Sequence, residues 1–205
     1  MCRHYIDDFS RDRGSPQTRR LTFRRCLTAA QLVAAVWLLA FFSPDPARAQ
    51  ASEYAVKAAY LFNFINFTEW PAAAFDGPST PLTVCIVGKD PFGNLLEEVL
   101  GGESVQGHPV TVERLPVSGA SSRCHVVFIP VSVDAPAAVL RGIGAAPVLT
   151  IGESDAFWRA GGMLRFAIDG DKVRFDANAR AAQRVGLRLS ARLMQVARST
   201  TQGQP

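Results

Sequence analysis

The sequence predicts a mixed α/β fold, in the form of a single three-layer domain. A mostly parallel sheet is flanked by helices, and a C-terminal β-hairpin and a long terminal helix close the chain. Three observations predict this. Continuous apolar runs at 82–87 (LTVCIV), 124–129 (CHVVFI) and 147–151 (PVLTI) are bounded by proline or glycine, the pattern of strands buried on both faces. Short helical segments lie between them. At 163–176 the pattern changes to strict alternation, with Leu164, Phe166, Ile168, Val173 and Phe175 set against Arg165, Ala167, Arg174 and Asp176.

Taken in order, the first element is an aromatic helix from Glu53 to Trp70, capped by Ser52 and stopped by Pro71. Ala55, Ala58, Ala59, Phe62 and Ile65 recur on it at helical spacing. So apolar a helix requires cover from the domain, and its six aromatic residues read as core or as a recognition surface. A proline-broken loop leads to the strand Leu82–Val87, the turn at Gly88–Pro91 and a helix at 92–100. A second strand, Val110–Leu115, follows His108-Pro109. After the strand at 124–129, Asp134 caps a helix reaching Leu140. The strand at 147–151 then leads to a helix at 156–160. The hairpin turns at Asp169-Gly170-Asp171, read as a three-residue loop. The last helix, Asn178–Arg198, carries Ala182, Val185, Leu189, Leu193 and Val196 on one stripe and Arg180, Arg184, Arg188 and Arg192 on another.

The chain of 205 residues has a formal charge of +4. The excess belongs to its first 49 residues, which hold eight arginines and four aspartates; beyond them fourteen basic residues face fourteen acidic ones. A neutral domain has no overall field to hold a polyanion, so nucleic acid is excluded as a partner class. Arg19, Arg20, Arg24 and Arg25 precede an apolar run from Cys26 to Phe42 and the small-residue sequence Ala47-Arg48-Ala49. This reads as a signal peptide over 1–49, cleaved after Ala49, with the domain spanning 50–205. The competing reading is an uncleaved anchor, since about seventeen apolar residues lie at the lower bound for a span. Thr18-Arg19-Arg20 matches a twin-arginine signal only in part. Export makes Cys85 and Cys124, the two cysteines after residue 49, most simply a disulfide, with a metal site as the rival.

Catalytic motifs are missing from the sequence: it contains no G-x-S-x-G, no H-E-x-x-H and no P-loop. Of the two histidines after residue 49, His125 sits inside an apolar strand and reads as a satisfied core residue. No cofactor and no metal is expected. If the strands are parallel, their carboxyl ends converge on a rim carrying Lys89, Asp90, Glu153 and Ser154, a candidate small-ligand site.

The run KAAYLFNFINFTEWP at 57–71, the GKDPF turn at 88–92 and the strand CHVVFI resemble the YfiR family. So do LTIGES at 149–154, the hairpin from Gly161 to Asn178 and the closing A-x-x-x-G-L-R-L-S-A-R-L-M at 182–194. The resemblance implies a periplasmic, non-catalytic module that restrains an inner-membrane diguanylate cyclase and is itself sequestered by an outer-membrane lipoprotein. It implies that Cys85 and Cys124 are the family's disulfide pair. A second pair found in some members has no counterpart after the fourth strand. A homodimer is a further expectation. Arg165, Arg174, Asp176 and Asn178, on the hairpin and its exit, are the candidate partner contacts, with cross-strand pairing and helix capping as the competing roles. The alternative function is a periplasmic small-solute sensor serving another membrane receptor or a histidine kinase.

Overall fold

The computed structural model describes residues 46–119 and 123–200. The expected leader, with its competing anchor reading, therefore lies outside the described residues except for positions 46–49, which open the first helix. That helix, α1 (Pro46–Asn66), begins earlier than Ser52 and ends earlier than Trp70. Thr68 ends it: its hydroxyl donates to the Phe64 carbonyl at 2.7 Å, and the chain then extends as β1 (Thr68–Glu69). The buried stripe is also rotated from the expected one. Tyr54, Ala58, Leu61, Phe64 and Ile65 are buried, whereas Ala55 and Ala59 are exposed. Burying the larger side chains removes more apolar surface from water than burying alanines.

The elements that follow are β2 (Leu82–Val87), α2 (Leu95–Leu100), β3 (Ser104–Val105), β4 (His108–Leu115) and β5 (Val126–Ile129). Next come α3 (Pro136–Ile143), β6 (Leu149–Gly152), α4 (Asp155–Arg159), β7 (Leu164–Asp169) and β8 (Lys172–Ala177). The chain ends in α5 (Ala179–Arg184), β9 (Arg188–Leu189), α6 (Ala191–Val196) and β10 (Ser199–Thr200). Eight strands form the main sheet in the order β10-β8-β7-β6-β5-β2-β4-β3. The pairs from β4 through β2, β5 and β6 to β7 are parallel, and β7–β8 is the antiparallel hairpin. The chain leaves β2 toward β4 and returns on the other side of β2 as β5. That reversal creates a crevice beyond the carboxyl ends of the strands.

Both faces of the central strands are covered, as their continuous apolar runs require. Leu82, Val84, Ile86, Val126 and Phe128 face one layer with α1 and α2; Cys85, Val87, Val127 and Ile129 face the other with α3 and Phe157 of α4. The disulfide Cys85–Cys124 lies in this second layer, with Cα atoms 5.9 Å apart. It joins β2 to the residue that leads into β5. The Phe157 ring fits because Gly162 has no side chain: a Cβ there would lie 2.2 Å from the ring.

Three boundaries correct the sequence reading. The expected long helix over 178–198 is two short helices. Gly186 has φ +81°, and the Leu187 and Gly186 amides close on the carbonyls of Ala182 and Gln183, a Schellman stop for α5. The released chain forms β9, which pairs antiparallel with β1, and Ser190 then caps α6 by accepting from the Leu193 amide. Asp134 does not cap α3, whose N-cap is Ala135 followed by a proline in the first turn. The hairpin turn has two residues, Gly170 and Asp171, because Asp169 and Lys172 are already paired. The positive φ of Gly170, 62°, suits the first central position of such a turn.

Candidate functional site

Among the described residues Lys57 is the one buried charged side chain of α1, only 4% exposed. Its ammonium lies 2.6 Å from Glu153 Oε1, pairs with Glu53 one turn earlier, and sits 4.4 Å above the Tyr54 ring. Glu153 leaves β6 at its carboxyl end. Its second oxygen accepts from the Val131 amide at 2.8 Å and from the Tyr54 hydroxyl at 3.4 Å. Burial, then the Glu153 charge, pushes the Tyr54 phenol well above its ordinary value, so it stays a neutral donor. A cleft of about 240 Å³ opens beside this cluster and is walled by Val131, Phe166 and Ile168.

Alongside it runs a larger groove of about 580 Å³ between α1 and the β7–β8 hairpin. Val56 and Tyr60 form one wall, and the cross-strand neighbours Ile168 and Val173 form the other, with Arg174 at the margin. Ile168 and Val173 continue the face that Phe166 and Phe175 bury against α1. Beyond Phe166 the cover stops: Ile168 is 52% exposed, Val56 43% and neighbouring Val131 64%. Clustered exposed apolar side chains of this kind mark interaction surfaces.

The candidate partner residues separate into two groups. Arg165 and Asp176 face each other across the hairpin, and Asp176 is wholly buried. Its carboxylate accepts from Arg165 Nη2 at 2.5 Å, Arg198 Nη2 at 2.7 Å and Ser199 Oγ at 2.7 Å, which fastens β10 to the sheet. Asn178 accepts from the Ala181 amide and caps α5. Arg174 alone of the four is exposed and lines the groove. At the expected rim, Asp90 accepts from the Phe92 amide and from Arg114 Nε, both at 2.7 Å, and Ser154 caps α4. Glu153 belongs to the Lys57 cluster, and Lys89 is exposed. The sequence reading missed Glu53, Val56, Lys57 and Ile168. The signal for Lys57 was available: a lone cation within an apolar helix, four residues after a glutamate.

A model of the YfiR/HmsC-like family matches residues 54–198, from the first buried tyrosine of α1 to the arginine before β10. The chain belongs to the YfiR/HmsC-like family. Members of this family are regulators in cyclic di-GMP signalling that act through membrane signalling proteins. Two solved structures are similar to parts of this chain. One is a conserved domain protein from Vibrio cholerae O1 biovar El Tor, 11% identical with a TM-score of 0.48. The other is an ABC domain in complex with L-Trp from Streptococcus pneumonia, 12% identical with a TM-score of 0.45. Each match covers 58% of this chain and 55% of the other, so the chain spans about half the length of these neighbours.

Proposed function

We propose that this YfiR/HmsC-like protein is a non-catalytic periplasmic regulator that binds and restrains an inner-membrane signalling protein, a diguanylate cyclase. Its contact surface is the groove between α1 and the β7–β8 hairpin. The observation that carries this reading is the unfinished apolar face of the hairpin, with Ile168 left open and Val173 half-buried beside it, opposite Val56 in a chain of this family. Binding to one state of the partner's periplasmic domain shifts the partner toward that state, and a competitor such as an outer-membrane lipoprotein reverses the shift by removing the regulator.

Deleting the gene should raise cyclic di-GMP, and a pulldown should recover an inner-membrane protein. Val56→Asp and Ile168→Asp should leave the melting temperature unchanged and weaken that capture by about thirtyfold or more, the effect of losing an interface anchor. Unchanged cyclic di-GMP in the deletion strain would sink the cyclase reading. The cleft beside Lys57 and Glu153 favours a second reading, a small-solute sensor. That reading expects a thermal shift with amino acids or nucleotides, and a flat screen would remove it.

A further inference from the structure

The arginines of the C-terminal region have no role in the groove or the cleft. Arg180, Arg184, Arg188, Arg192 and Arg198 follow one another through α5, β9, α6 and its exit, and residues 177–205 contain no aspartate or glutamate. All five are exposed. Among the described residues only two of them form ion pairs: Arg188 with Glu69 at 3.2 Å and Arg198 with Asp176 at 2.7 Å. Arg180 and Arg184 stand one turn apart on α5, away from its buried Ala181 and Ala182. The Arg192 guanidinium lies 5.9 Å from the centre of the Phe67 ring, and Val196, one turn further along α6, is 61% exposed. Beyond residue 49 the chain has as many acids as bases, so this is segregation of charge and not excess.

We infer that the face formed by α5, β9 and α6 docks the protein on an anionic phospholipid bilayer. Arg180 and Arg184 lie on α5 and Arg192 on α6, so the three cations are spread over two short helices. That spacing suits a continuous layer of phosphates better than a single acidic anchor, and each guanidinium fork matches a phosphate in bidentate fashion. An exposed valine beside a basic side chain suits the boundary between headgroups and acyl chains. Docking of this kind holds a regulator at the surface from which a membrane protein projects, and it does not depend on which signalling protein is restrained.

The test is sedimentation of the processed, secreted protein with vesicles of phosphatidylcholine alone or mixed with phosphatidylglycerol. Binding is expected only with phosphatidylglycerol, and it should weaken as salt is raised. The triple variant Arg180→Gln, Arg184→Gln, Arg192→Gln should bind about a hundredfold more weakly, from about fivefold per arginine near a charged surface. It should keep the melting temperature of the parent. Arg141→Gln, on α3, should bind as the parent does. Equal binding to both vesicle types would overturn the inference. So would no binding to the anionic vesicles at low salt, a triple variant that still binds, or capture of an acidic protein by this face with the vesicles left untouched.

Discussion

His125 shows how one side chain ties the amino-terminal edge of the sheet to the loop above it. Its Nδ1 accepts from the Thr83 amide at 3.1 Å, and its Nε2 lies 3.0 Å from the Ala74 carbonyl, which fixes the neutral Nε2–H tautomer. The ring stacks on Phe75, which stacks in turn on His108. Burial pushes the His125 pKa below 6.5, and the bond to the Ala74 carbonyl offsets part of that. Between the two values the unfolded chain binds more protons. This contribution is therefore complete above about pH 6.5 and is lost as the pH falls through the lower folded value. The expected result is an NMR midpoint for His125 below that of a free histidine, with a melting temperature that declines over the same window. In His125→Asn that decline should disappear; a midpoint at the free value would contradict the assignment. Asp176 has the opposite bookkeeping of causes. Burial pushes its carboxyl up, but the bonds from Arg198, Arg165 and Ser199 outweigh it and leave the pKa at about 2. Its contribution is present above the ordinary carboxylate range and is lost as pH falls through about 2. Asp176→Ala removes one partner of Arg165, which keeps Asp155, and the partner of the exposed Arg198, and should cost about 1.5–3 kcal/mol in urea unfolding.

At the scale of single elements, α1 divides its residues between two tasks. Phe64 is completely buried and packs edge-on against Phe175 at 4.7 Å, so Phe64→Ala should destabilise by about 3–5 kcal/mol. Trp70 is also in the core, with its indole Nε1 donating to the His125 carbonyl at 3.3 Å. The conspicuous aromatics are thus mostly packing; of the six, Tyr60 lines the groove, beside Val56, which the sequence pattern does not mark. If Phe64→Ala kept full stability, the recognition reading of the aromatics would return. The C-terminal elements show a related limit. A helical period runs unbroken from Ala182 through Val185, Leu189 and Leu193, and Gly186 within it is the only local sign of a stop. The stop prevails because Thr68–Glu69 offers backbone partners to Arg188–Leu189, an interaction across more than one hundred residues of sequence.

At the scale of the whole molecule, three layers are held around strands that are short but buried on both faces. The bond between Cys85 and Cys124 closes a loop of 39 residues. Replacing both with serine should cost about 4 kcal/mol by the chain-entropy model, measured as a shift of the urea midpoint. Mass spectrometry of the unreduced protein should find Cys85 and Cys124 joined, with neither as a free thiol. A variant as stable as the parent would show that packing between β2 and β5 is enough without the bond.

The sequence by itself determined the strands of the central sheet, the alternating hairpin, the family and the cysteine pair. Each of these is written in local periodicity, in turn residues or in collinear motifs. Only the tertiary structure decided that Lys57 meets Glu153, that Asp176 gathers two arginines, and that Val56 and Ile168 share an open groove. Lys57 and Glu153 stand 96 residues apart, and nothing local in the sequence pairs the one with the other. The physical reason is that local pattern encodes which face of an element is apolar. How far a neighbouring element covers that face depends on strand order and helix placement, which are set by packing across the whole domain.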